Sequence, residues 1–502
     1  MSKPVRVRFA PSPTGLLHIG SIRSGLFNYL WAKHSQGTFV LRIEDTDRAR
    51  LVEGAVDQIN ASFEALGITP DEGPTQGGAY GPYLQSERLD LYRHHADTLI
   101  EKGSLYRCWC TPERLDDLRQ AAQKAGQAFV YDRHCLKPEN HKSADEPHVL
   151  RFRIPDEAHT ISWDDAVRGG LSFEADTLDD FVALKADGYP TYHLANVIDD
   201  HLMEISHVLR ADEWIPSTPK HLLLFAAFGW DAPIYGHLPA VLGPTGTKKL
   251  SKRDGAQSVQ EYIEEGYLPE AIMSFLASLG WNDGTTQDVY SPAELIEKFT
   301  LDRVQKSPAK FDKDRLTWVN GYIIRHLPPE NLLERARAFW PAEAKDASDD
   351  YLAHVLGLLQ ERLKFLAELR LPELTGFFFS DPVFNPHSDE MKKIASKFYA
   401  SEEISYALTE TIAALKNLDK FDAESIQQTL EHIDAQLTEK ANAYYRGQNL
   451  DTTRANSRKG YYGLLRQVVS GQPFSPPLGD MMSVLGQETV LRRLAAASAI
   501  SR

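Results

Sequence analysis

The sequence predicts a parallel-sheet α/β domain, split by an inserted α+β segment and followed by an all-helical half. Three observations carry this reading. Strand-like and helix-like patterns alternate through the first third of the chain. All three cysteines fall between about residues 105 and 189, among short strand candidates and Pro/Gly breaks. Beyond about residue 241 the apolar periodicity is almost wholly helical. A chain of 502 residues has room for about three to five domains.

The elements follow in order. "VRVRF" alternates and opens the chain as a strand. "SIRSGLFNYLWAKH" places Ile22, Leu26, Phe27 and Leu30 on one helical face. "TFVLRI" is a second strand, "GAVDQINASFEALG" a helix, and "SERLDLYRHHADTLIEKG" a helix that Ser86 is expected to cap. Strand–helix–strand at this spacing implies a parallel sheet with crossover helices over residues 1–104. The segment 105–189, with strands such as "HVLRFRI", interrupts it, and 190–240 resumes it through "TYHLANVIDDHLMEISHVLR" and "TPKHLLLFAAFGW". Residues 241–325 begin with a basic loop. Residues 326–502 are helical, divided near about residue 385, and contain "YLAHVLGLLQERLKFLAEL" and "GQETVLRRLAAASA". No fixed-period repeat or low-complexity tract is present.

Composition narrows the class. Hydrophobic content of 42% and charged content of 25% are ordinary for a globular protein. No apolar run is long enough for a membrane span, and "MSKPVRVRF" lacks the apolar core of a signal peptide, so a cytoplasmic protein is expected. Three cysteines, Cys108, Cys110 and Cys135, do not make a disulfide framework. A net charge of −15 opposes a nucleic-acid partner only weakly, because phosphate binding rests on local basic patches.

The chemistry begins at "RFAPSPTGLLHIGS". A tight turn between a strand and a helix in a parallel sheet sets the helix N-terminus at the carboxyl edge of the strands, where such folds bind ligands. Its free amides and dipole favour phosphates. Pro11 and Pro13 stiffen the turn, Gly15 and Gly20 let a ligand approach the backbone, and His18 can donate to a phosphate oxygen. A second element, "KKLSKR", sets Lys249 and Lys252 around Ser251 in a Gly/Thr-rich loop. Such a loop suits a transition state in which charge builds on phosphate. Read alone, the first element is also a structural turn and the second a solvated surface.

Together they are far more specific. "HIGS" resembles the HIGH signature of class I aminoacyl-tRNA synthetases, and "KLSKR" resembles their KMSKS signature. "RFAPSPTGLLHIG", "LRIEDTDR", "DEGP", "GPYLQSER", "DGYPTYHLANVIDDHLMEISHVLRADEW", "STPKHLLLFAAFGW" and the closing "LGQETVLRRL" resemble the bacterial-type glutamyl-tRNA synthetases, from residue 5 to the C-terminus. Ser21 stands where HIGH has its last histidine and Leu250 where KMSKS has methionine.

The resemblance implies a Rossmann-type catalytic domain with an inserted acceptor-end domain, a stem-contact region and a helical anticodon-binding half. It implies that L-glutamate is activated by ATP, with Mg²⁺, and passed to the 3′ end of tRNA(Glu). His18 and the amides around Gly20 would hold the ATP phosphates. Lys249 and Lys252 would meet the charge on pyrophosphate, Ser251 would help hold the loop, and Glu213 and Leu242 would meet the adenosine. No protein nucleophile is needed, so catalysis is orientation and charge stabilisation. Arg8 and Arg210 are candidates for the two carboxylates of glutamate, with Arg8 preferred for the side chain. Glu44 suits the α-ammonium, and Ala10, Ser12, Tyr192 and Asn196 complete the amino-acid site. Tyr192 and Asn196, four apart, share a helix face. Asp45 and Asp47 read as a salt-bridged strand end.

Three cysteines in one segment suggest a structural zinc site short of one ligand. "CWC" followed by "YDRHC" resembles a zinc motif of some family members, which implies Tyr131 as the fourth ligand beside Cys108, Cys110 and Cys135. His134 is the conventional alternative. In the helical half, "YYRGQNLDTTRANSRKGYYGLLR" interleaves Arg446, Arg454, Arg458, Lys459 and Arg466 with tyrosines, a pattern that suits phosphate contact and base stacking and equally a solvated helix with packed tyrosines. By resemblance Arg362 reads the third anticodon base, as in members that charge only tRNA(Glu). A form that also charges tRNA(Gln), and an inactive tRNA-binding paralogue, are the alternatives. A monomer is expected from the family.

Overall fold

Strand β1 (Arg6–Phe9) pairs in parallel with β2 (Thr38–Leu41), register Arg6↔Thr38 to Phe9↔Leu41, and helix α1 (Ile19–His34) makes the crossover between them. The computed structural model describes residues 4–15, 19–250, 257–398, 401–448 and 457–500. Ile22, Leu26, Phe27 and Leu30 are all sealed in the core. Gly25 is needed for this packing, since a Cβ there would sit 2.7 Å from the Phe63 ring on α2 (Ala55–Ala65).

Helix α3 runs Leu89–Glu101, two residues later than a cap at Ser86 implies, and Ser86 is not its cap. Its amide and hydroxyl both donate to Asp45, at 2.8 and 2.6 Å. A carboxylate accepting two hydrogen bonds outcompetes a helix-end role for that serine.

After α3 the chain leaves the parallel sheet. β3 (Leu105–Cys108) leads through α4 (Pro112–Lys124) to β4 (Val149–Phe152). The hairpin β5 (Thr160–Asp165) and β6 (Gly169–Glu174) precedes β7 (Val182–Leu184). β3, β4 and β7 form an antiparallel sheet. The chain then returns through α5 (Tyr192–Leu202), β8 (His207–Ala211), α6 (Thr218–Phe228) and β9 (Ile234–Leu238). The main sheet is wholly parallel, with order β2-β1-β8-β9. Its crossovers run outward in opposite directions from the β1/β8 pair. That pair is the topological switch point, where open α/β sheets bind ligands.

Residues Met1–Ile263 and Leu268–Val319 make one structural unit. Its later part pairs β10 (Val241–Leu242) with β11 (Ala309–Lys310) and adds α7 (Val259–Glu264), α8 (Pro269–Ser278) and α9 (Pro292–Lys298). The second unit, Glu264–Tyr267 with Asn320–Arg502, is helical in its described elements. Leu430, Leu437, Leu464, Leu465, Met481 and Leu494 are buried in its interior. No helix of the described residues is long and apolar enough to cross a membrane.

Candidate active site

A cavity of about 460 Å³ opens at the switch point. Its wall includes Arg8, Ala10 and Ser12 after β1, Gly20 and Ser21 of α1, Glu44 after β2, Tyr192 and Asn196 of α5, Arg210 of β8, and Glu213 and Lys249.

The polar floor is built from residues far apart in sequence. α5 lies over the sheet face that carries Arg6 and Arg8, and successive turns of it present Tyr192, Asn196, Asp199 and Asp200. Asp200 accepts Arg8 Nε at 3.1 Å and Arg42 Nη1 at 2.8 Å. Asp199 accepts Arg88 Nε at 2.7 Å, Gln85 at 2.9 Å and the Tyr92 hydroxyl at 2.8 Å. These carboxylates are sealed from solvent. Burial works against the ionised form of Asp200, but Arg8 and Arg42 outweigh it and hold its carboxyl below the ordinary range.

Glu44 is drawn into the turn by its own amide, which donates to the Pro11 carbonyl at 3.0 Å. Its Oε1 accepts Arg42 Nη2 at 3.1 Å and Asn196 Nδ2 at 3.0 Å. The Asn196 Oδ1 is buried and has no hydrogen-bond partner among the described residues. Burial raises the Glu44 carboxyl above its ordinary range, against the pull of Arg42 and Arg8. A cation arriving between Glu44 and Asn196 finds a carboxyl group and an amide oxygen that has no hydrogen-bond partner among the described residues.

Arg210 has a different setting. It is buried, and among the described residues no carboxylate lies within ion-pair distance of it. Its donors meet Tyr192 Oη at 2.9 Å, Thr218 Oγ1 at 2.8 Å, His237 Nε2 at 3.1 Å, the Trp214 carbonyl at 3.3 Å and His221 Nδ1 at 3.4 Å. Burial keeps the imidazoles neutral, pushing His193 down to about 3 and His221 well below its ordinary value. The result is a guanidinium with its charge unspent.

At the phosphate side, the first described amide of α1, on Ile19, donates to the Gln257 carbonyl at 3.2 Å, and Gly20 and Ser21 line the cavity. Lys249 follows a hairpin in which it bridges to Leu242, and its Nζ meets Glu213 Oε2 at 2.6 Å. Both side chains are half exposed, so the pair is easily exchanged for another anion. Leu242 itself does not line the cavity; its neighbour Val241 does. His18, Ser251 and Lys252 lie outside the described residues.

In the insertion, the three sulfurs of Cys108, Cys110 and Cys135 lie within 4.8 Å of one another. The Tyr131 hydroxyl sits 3.3 Å from Cys108 Sγ and 3.4 Å from Cys110 Sγ. Ligands about 2.3 Å from a tetrahedral zinc stand roughly 3.7 Å apart, so this donor set suits the metal. Arg151 Nε donates to Cys108 Sγ at 3.2 Å and Arg114 to Cys110 Sγ at 3.5 Å. Two guanidiniums would offset the excess negative charge of three thiolates and a phenolate. The His134 ring instead meets Asn140 at 3.3 Å.

In the second unit, Arg362 donates to the Ser475 carbonyl at 3.2 Å and Arg466 to the Ser475 hydroxyl at 3.0 Å. The adjoining Phe474 is 83% exposed. Tyr461, by contrast, is core, bonded to Thr411 at 2.8 Å. Arg454 and the side chains of Arg458 and Lys459 lie outside the described residues.

A parallel sheet with a charged amino-acid-sized floor beside a helix N-terminus defines an enzyme of the class I synthetase type. Residues 4–318 match the family described as tRNA synthetases class I (E and Q), catalytic domain, and residues 331–445 and 459–498 match an anticodon binding domain. The chain is similar to glutamate–tRNA ligases of Dehalococcoides mccartyi, at 45% identity over 99% of both chains, and of Chloroherpeton thalassium, at 41% over 98% of this chain and 97% of that one. A crystal structure of a glutamate tRNA ligase from Elizabethkingia meningosepticum, in complex with its amino acid, covers all of both chains with TM-score 0.86 and 34% identity. The chain belongs to the glutamate–tRNA ligase family.

Proposed function

We propose that this chain activates L-glutamate with ATP in the cavity at the β1/β8 switch point and transfers the glutamyl group to the terminal ribose of tRNA(Glu). The observation that carries this is one wall presenting an ammonium site, Glu44 with the vacant Asn196 oxygen, beside two buried guanidiniums, Arg8 and Arg210. In the first step the glutamate α-carboxylate attacks the α-phosphorus of ATP, and pyrophosphate leaves. The chain supplies orientation: Glu44 and Asn196 hold the amine, while Arg8 and Arg210 hold the carboxylates, with Arg8 assigned to the side chain. Gly20, at the start of α1, and His18 receive the phosphates, and Lys249 and Lys252 stabilise the leaving pyrophosphate. Glu213 flanks the adenosine, and Leu242 backs it from beside Val241 in the cavity wall. Magnesium would enter on the ATP phosphates and supply charge neutralisation there.

We assign a structural zinc to Cys108, Cys110, Cys135 and Tyr131, and anticodon contact to Arg362 with Arg466 beside it. The pairing of these arginines on one serine supports that contact. Exchange of labelled pyrophosphate into ATP, with tRNA(Glu) present, tests the reaction directly. Exchange that needs glutamate and fails with glutamine is expected. Absence of exchange with either amino acid would refute the enzyme reading.

A further inference from the structure

Arg210 is held from behind by an imidazole whose far nitrogen is held by a carboxylate. Its Nε–H donates to His237 Nε2 at 3.1 Å, and His237 Nδ1 meets Asp165 Oδ2 at 2.5 Å. Both Asp165 and His237 are sealed from solvent. Nε2 can accept from Arg210 only if the ring proton is on Nδ1. Asp165 is an acceptor aimed at that proton, and it cannot turn away. Its other oxygen accepts three backbone amides, those of Val167 at 3.1 Å, Arg168 at 2.9 Å and His237 at 3.1 Å. Asp165 ends β5, so it comes from the inserted segment rather than from the parallel sheet.

We infer that Asp165 and His237 are positioning residues for Arg210: the hairpin carboxylate fixes the His237 tautomer, so that a neutral lone pair steers the guanidinium without neutralising it. The contrast with Arg8 supports this. Arg8 touches its carboxylate, Asp200, directly and shares its charge with it. At Arg210 the carboxylate is set back by the width of a ring. Orientation and charge are thereby supplied by separate groups. The inference rests on the reading of Arg210 as a carboxylate-binding residue.

Asp165→Asn tests it. The three backbone amides keep an oxygen at the Oδ1 position, so the new NH₂ must face His237 Nδ1. The ring then has to accept there, its proton moves to Nε2, and two N–H groups confront each other at Arg210. A carboxylate-to-amide change beside an imidazole acts through the tautomer in this way. The KM for glutamate in tRNA-supported exchange should rise about tenfold to hundredfold, the range for a lost hydrogen bond to a charged group, with the KM for ATP unchanged. His237→Gln places an amide that can present its oxygen to Arg210 whatever stands at 165, so adding it to Asp165→Asn should recover most of the loss.

An unchanged KM for glutamate, an equal rise in the KM for ATP, or no recovery in the double variant would overturn the inference. Should Asp165→Asn fail to fold, ¹⁵N spectra of the histidine-labelled native protein still decide. Protonated Nδ1 with bare Nε2 is expected at His237, and the opposite tautomer would overturn the claim. Arg210→Lys separates the two readings. If it leaves the KM for glutamate unchanged, the carboxylate-binding role fails. If it raises that KM while Asp165→Asn does not, only the positioning role fails.

Discussion

Replacing Tyr131 by Phe removes one oxygen from the cysteine cluster and leaves the ring in place. That oxygen is 3.3 and 3.4 Å from the Cys108 and Cys110 sulfurs, and the Cys110 and Cys135 sulfurs are 3.6 Å apart. These are separations suited to four ligands around one small ion. Losing a partner outside the ligand set commonly costs 10- to 100-fold in metal affinity, so losing a ligand should cost about hundredfold or more. On a total of roughly 10–16 kcal/mol for a structural zinc, the remaining three thiolates still bind. Stoichiometry should therefore stay near one zinc per chain, while transfer to a competing chelator accelerates. A second cost falls on the fold, because the Cys135 amide donates to the same oxygen at 3.2 Å. A buried donor left without an acceptor costs about 1–3 kcal/mol, which should appear as a lower Tm. His134→Ala should change neither quantity, since that ring meets Asn140. Elemental analysis that finds no zinc in protein purified without chelator would refute the reasoning. So would faster zinc loss from His134→Ala than from Tyr131→Phe.

Three further outcomes are expected. In Glu44→Gln the oxygen stays with Arg42 and Asn196, so the amide NH₂ faces the substrate ammonium; the KM for glutamate should rise about tenfold to hundredfold, whereas inhibition by glutarate, which lacks the amine, should hold steady. Equal losses for both ligands would remove Glu44 from amine recognition. The unfolded chain protonates His193 near 6.5 but the folded chain only near 3, so stability is complete above pH 6.5 and falls as pH drops below it, by about 1.4 kcal/mol per unit for each such histidine; His221 shifts the same way. A Tm that does not change between pH 7 and 5 would contradict this. Finally, exchange should be negligible without tRNA, and Arg362→Ala should weaken its stimulation and relax anticodon choice by about 1–3 kcal/mol. Unaltered anticodon preference in that variant would reopen the reading in which tRNA(Gln) is also charged.

What the sequence made legible was whatever is local. The strand–turn–helix opening, the four-residue spacing of Tyr192 and Asn196, and the helical second half all follow from short-range pattern. The partners that tune the site were not legible, because they meet across long separations. Arg42 and Asp200 are 158 residues apart, and in isolation each reads as a surface charge. Asp165 and His237 lie in none of the quoted motifs and acquire meaning only through the chain of contacts that leads to Arg210, while His221 lies within a quoted stretch but is not singled out there. Ser86 shows the reverse failure. Its local signal as a helix cap was sound, yet Asp45, itself read as a strand-end acid, claimed it. In the sequence Arg466 reads as one basic residue among several, and only its convergence with Arg362 on Ser475 singles it out.

The buried ion network has an electroneutrality consequence. Arg8, Arg42 and Arg88 face Glu44, Asp199 and Asp200, so guanidiniums and carboxylates cancel within the floor of the site. Arg210 lies outside that set, and its counter-charge is Asp165, one imidazole away behind His237. An anion that reaches Arg210 therefore displaces no ion pair, whereas one that reaches Arg8 meets a guanidinium already joined to Asp200. The two arginines are unequal as anion receptors because of where their counter-charges sit, not because of how many there are.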